Sequence, residues 1–189
     1  MEKSQRSKNS LLNYIRYLYY FFIFAIAGYL WEVLVNIFTL FRLANPGTMY
    51  GPWLPIYGWF VLLLLLLPDG AKDRPMKVFL VSFIMIGIIE YATSAFLEHF
   101  YHTKWWDYSR YLFDINGRVC LEALFVFSSL SILIIHYVVP KLDKLFNKIN
   151  GHVLEIILII ILLLFIFDYG YSIFHPHHVE HVDIKELFD

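Results

Sequence analysis

Four apolar runs, each long enough to cross a lipid bilayer, constrain this chain more than any other feature. They lie at about residues 17–41, 78–97, 119–139 and 152–174. A hydrocarbon core about 30 Å thick takes about 20 apolar residues in helical form. Backbone polar groups find no water there, so the helix must satisfy them internally. The chain is 59% hydrophobic and only 16% charged. A soluble domain of 189 residues could not cover so much apolar surface. Aromatic residues make up 20%, which suits rings placed at membrane interfaces. The expected architecture is an all-α, polytopic membrane helix bundle.

A fifth run is less regular. Trp53 to Pro68 is apolar but amounts to only about 24 Å of helix. It follows Asn45 to Gly58, NPGTMYGPWLPIYG, in which three prolines and three glycines exclude regular helix over most of the interval. Two readings stand. In one, the Pro/Gly-rich segment is re-entrant and protein satisfies its backbone at membrane depth; such broken helices line transporter sites. In the other it is a tight external loop before a short helix. The expectation is about five spans (17–41, 53–68, 78–97, 119–139, 152–174) in one transmembrane domain, residues 1–174. An acidic, His-rich tail follows, residues 175–189. The first run is too long for the apolar core of a cleaved signal. With the N-terminus inside, the inner segments hold ten cations: Lys3, Arg6, Lys8, Arg16, Lys72, Arg74, Lys77, Lys141, Lys144 and Lys148. The outer ones hold five: Arg42, Lys104, Arg110, Arg118 and Lys185. Positive-inside bias therefore sets N-in and C-out.

The polar residues inside this frame are the candidate site. A mid-bilayer carboxylate costs about 2.5 to 3.5 kcal/mol on insertion scales. Glu32 shares a helix face with Gly28 and Asn36, and Glu90 shares one with Ser94 and Glu98. Trp105 to Leu121, WWDYSRYLFDINGRVCL, is the longest polar, aromatic-rich interval. The substrate- or ion-binding candidates are Glu32, Glu90, Glu98, Trp105, Trp106, Asp107, Asn116 and Arg118. Glu122 and Asp168 also fall near the outer boundary. Arg118 near a helix start opposes the dipole preference, which hints at a specific acidic partner; Glu32 and Glu90 are the candidates for a structural pair. Each residue has a plainer reading too. The two tryptophans suit an interface belt, Asp107 an Asx turn, and Asn116-Gly117 a turn into the next helix.

Other chemistries lack their residues. The lone Cys120 excludes a disulfide framework and a Cys-only metal site. His177 and His181 are four apart and offer a weak metal pair in a terminal segment, so no metal site and no cofactor are assigned. No basic nucleic-acid footprint is present. No Walker A, GxSxG, HExxH or CxxC sequence occurs, and no catalytic residue is named.

Five stretches together resemble the ABC-transporter type IV permease family, the CmpB-like membrane proteins. They are GYLWEVL (Gly28 to Leu34), YGPWLPIYG (Tyr50 to Gly58), EYATSAFLE (Glu90 to Glu98), WWDYS (Trp105 to Ser109) and NGRVCLE (Asn116 to Glu122). They stand in the family's order over about two thirds of the chain. Two departures occur: Phe113-Asp114 replaces the family's Phe-Asn, and Glu122 replaces a neutral residue. The resemblance implies a bacterial, multi-pass cell-membrane protein. It also implies a transport role, with a separate ATP-binding subunit or a homo-oligomer as partner besides the lipid bilayer. Two other functions fit the residues: an assembly or sensing protein that binds another membrane protein through the outward aromatic loop, and an enzyme acting on lipid through outward acids and Arg118.

Overall fold

The computed structural model describes residues 2–175 except Phe41, Ala44 and Thr103, and residues 182–183; the side chains of residues 2–13, 39–40, 42–43 and 182–183 lie outside that description. Helices dominate. They are α1 (Glu2–Leu40), α2 (Pro55–Leu65), the single turn α3 (Asp69–Lys72), α4 (Pro75–Tyr101), α5 (Leu121–Leu133), α6 (Val139–Phe146) and α7 (Gly151–Phe174). A π-helical turn, Ile134–Val138, joins α5 to α6. Its cause is Pro140, which lacks an N–H and whose ring crowds the carbonyl one turn earlier. Among the described residues, four stretches are long and apolar enough to span a membrane: Tyr14–Phe38, Pro75–Tyr101, Leu121–Phe146 and Gly151–Phe174. The all-α membrane bundle is thus observed, and the short apolar helix α2 is the exception. Helix α2 has 11 residues, about 17 Å, which is little more than half the hydrocarbon core.

The chain forms two compact units, one of residues 1–58 with 148–189 and one of residues 59–147. In the first, α1 and α7 run in the same direction. The Tyr19 hydroxyl donates to the Leu154 carbonyl at 2.6 Å, and farther along both helices Phe21 and Phe22 meet Phe165 edge to face. Beyond both helix ends, Arg42–Leu43 pairs antiparallel with Val182–Asp183. The 45–58 segment returns against the middle of α1. The Leu54 amide donates to the Ala25 carbonyl at 3.0 Å, and Ala25 is fully buried near the centre of the Tyr14–Phe38 stretch. Gly58 lies on Phe21 and Gly28 lies under the Tyr57 ring, so closely that a Cβ at either glycine would collide. The start of α2 thus lies against the middle of α1.

The second unit is an antiparallel hairpin of α4 and α5. Phe79 and Phe83 pack on Phe125, and Ile86, Val119 and Leu124 form its core with Phe60, Phe83 and Phe127 around them. Ser128 and Ser131 are fully buried and donate to their own helix at the Leu124 and Phe127 carbonyls. That keeps each hydroxyl satisfied in an apolar interface.

Candidate functional site

The polar chemistry falls into two clusters, one in each unit. In the second unit, the loop 102–120 folds back over the end of α4. A left-handed His102 (φ 54°) ends that helix. The chain returns through a turn at Asn116-Gly117, where both residues have positive φ, 56° and 68°, as a type I′ turn requires. The Arg118 amide closes it on the Ile115 carbonyl at 3.0 Å. A side chain at Gly117 would also strike the Asp107 carboxylate. Asp107 accepts the Ser109 amide at 3.0 Å, an Asx turn. Those Ser109 bonds hold its carboxyl below the usual aspartate value. Asp114 accepts the Gly117 amide at 2.6 Å.

This folding delivers Arg118 onto one face of α4. Its guanidinium pairs with Glu98 at 2.5 Å, donates to the buried Ser94 hydroxyl at 3.2 Å and lies 5.6 Å from the Tyr91 ring centroid. The Tyr91 hydroxyl accepts from the Asn116 amide at 2.9 Å. The Trp106 indole braces the Arg118 carbonyl at 2.9 Å, and Trp105 stands edge-on to Tyr101. An acidic partner of Arg118 is thus Glu98, while Glu32 bonds Tyr57. Glu90 sits one turn before Ser94 on the same helix face. Chemically, a ligand anion can compete with Glu98 for Arg118, and a ligand cation can compete with Arg118 for Glu98.

The first unit holds the other cluster. Asp168, six residues before the end of α7, accepts the Tyr50 amide (3.1 Å), the Gly51 amide (2.9 Å) and the Trp53 indole (2.7 Å). Ser172 adds a hydroxyl at 3.3 Å. A single carboxylate thereby takes up two amides of the irregular backbone just before α2, Tyr50 and Gly51, which water would otherwise have to do. Glu32 accepts a short hydrogen bond from the Tyr57 hydroxyl. That places an acid of α1 against the first turn of α2.

Among the sequence candidates, the structure brings Glu98, Arg118 and Asn116 together through Ser94 and Tyr91. Trp105, Trp106 and Asp107 build the loop around them, and Glu32 joins the other cluster. His177 and His181 lie outside the described residues. Among the described residues no group of three or more His, Cys, Asp or Glu could hold a metal ion. Sequence reasoning left Tyr57, Tyr91 and Trp53 without a role and placed Asp168 only among acids near the outer boundary. An aspartate inside an apolar run was the available signal for Asp168; its donors in the 50–53 segment lie more than 110 residues away, and nothing local points to them.

A family model described as "Putative ABC-transporter type IV" matches residues 19–173, from within α1 to the last turn of α7. No curated protein and no solved structure matches the chain.

Proposed function

The chain belongs to the ABC-transporter type IV family, and from that premise we propose that it is the membrane-embedded permease component of a transporter. The observation that carries this reading is the irregular 45–54 segment held against α1 ahead of the short helix α2. The Leu54 amide bonds to the middle of α1, the preceding backbone is satisfied by Asp168, and α2 occupies only about half a span. Irregular backbone at membrane depth is stable only where protein or a water-lined cavity satisfies it, and broken helices of this kind make substrate sites near the midplane.

In this reading Glu32, held by Tyr57 at the break, is the acid that meets substrate or coupling ion. The Glu98–Arg118 pair is an outer contact point, with Trp105, Trp106 and Asn116 around it. The protein lies in the cell membrane, N-terminus in and C-terminus out, and works with a separate ATP-binding subunit. Purification of tagged protein in mild detergent, with mass spectrometry of what accompanies it, tests the partner. A stoichiometric ATP-binding subunit is expected. Full recovery of folded protein without any ATP-binding protein would overturn the assignment.

A further inference from the structure

The loop between α4 and α5 sorts its apolar residues into two sets. Trp105, Trp106 and Tyr108 are partly buried in its base. Tyr111, Leu112, Phe113 and Ile115 are not: they are 52%, 73%, 79% and 57% exposed. No span explains that exposure, because these residues belong to no helix. The backbone there is also held under strain. Phe113 has φ 55°, a conformation that a bulky side chain adopts only when its surroundings impose it. The bonds that impose it lie on either side. The Leu112 amide is tied to the Glu122 carboxylate at 3.2 Å, and Asp114 caps the Gly117 amide. The result is a fixed tip carrying two large apolar side chains outward at its apex.

We propose that this tip, Tyr111 to Ile115, is a wedge that seats in the interfacial layer of the bilayer beside the α4–α5 hairpin. Three observations favour lipid as the occupant. Glu122 lies in the first turn of α5, so its bond to Leu112 fixes the tip at the level where a span begins. Glu122 also shares its helix face with Val126, Ser129 and Leu133, where α5 is exposed and apolar, so the tip continues a lipid-facing surface. Finally, Arg110 and Tyr111 adjoin Leu112 and Phe113, and a cation and a phenol beside large apolar groups suit the headgroup–acyl boundary.

The test is nitroxide labelling of Leu112→Cys and, separately, Phe113→Cys in the full chain, reconstituted in phospholipid vesicles. Cys120 is buried, and Gly70→Cys, in the polar turn α3 with open space around it, serves as the water reference. The expected result is a several-fold preference for collision with oxygen over an aqueous nickel chelate at both tip positions, within about 10 Å of the phosphate level. Nickel-chelate collision as frequent as at Gly70→Cys would overturn the proposal and make the tip a solvated loop. Shielding from both reagents would also overturn it, by showing that protein covers the tip.

Discussion

At the scale of single residues, the Glu98–Arg118 pair makes the sharpest prediction. Arg118 is mostly buried at 17% side-chain exposure, so removing its partner strands a charge. An uncompensated buried charge costs more than a missing pair. Glu98→Leu alone should therefore lower stability by about 2 to 3 kcal/mol. Glu98→Leu with Arg118→Met should recover at least half of that loss, read as thermal unfolding in detergent. Equal losses in the single and double variants would show that the two charges do not depend on each other. Asp107 gives a pH prediction. Its folded carboxyl titrates below the usual value because the Ser109 amide and hydroxyl bind its charged form. The contribution is therefore complete above the unfolded value of about 3.9 and is lost as pH falls through the lower folded value. The Ser109 amide resonance should be constant from neutral pH down to about 5 and should move only below about 3.9. A midpoint at or above that value would contradict the Asx turn.

At the scale of elements, the long helices were legible and their interruptions only half so. Composition alone requires the spans around α1, α4, α5 and α7, because no water-soluble packing hides that much apolar surface. Three prolines and three glycines between Asn45 and Gly58 told where helix could not form. They could not tell where the freed amides would go, since that acceptor, Asp168, is supplied by another helix. Likewise the i, i+4, i+8 spacing placed Glu90, Ser94 and Glu98 on one face of α4, but which acid meets Arg118 depends on how far the loop folds back. The Asn-Gly turn and the Asx turn are set by neighbours in sequence, and there local reading suffices. The break itself can be tested. Asp168→Ala leaves the Tyr50 and Gly51 amides and the Trp53 indole without their acceptor, at about 1 to 3 kcal/mol for each fully buried donor. We expect a loss of about 2 to 4 kcal/mol and new proteolysis between residues 45 and 54, with Asp168→Asn intermediate. Unchanged stability and protection in Asp168→Ala would remove the carboxylate from its role.

At the scale of the whole molecule, helix direction constrains topology. Helices α1 and α7 run the same way, so an odd number of crossings must separate them. The α4 stretch and the α5–α6 stretch supply two. In the proposed reading the 45–67 interval supplies the third, half as irregular chain and half as α2. Cysteines at Gly70 and at Arg110 should then react with an impermeant maleimide from opposite sides of sealed vesicles. Labelling of both from one side would contradict a five-crossing, N-in and C-out chain. The family assignment and the broken crossing then converge on one physical claim: water and solutes reach the middle of the membrane along the 45–54 segment. Stepwise modification by an impermeant methanethiosulfonate cation tests that claim most directly, using Tyr50→Cys, Pro52→Cys and Leu54→Cys in membranes. Reaction at all three positions, including Leu54 at the mid-span depth of Ala25, is the predicted result. Reaction at Tyr50→Cys alone, with Pro52→Cys and Leu54→Cys inert from both sides, would mean a dry, packed break and would contradict a transport path there.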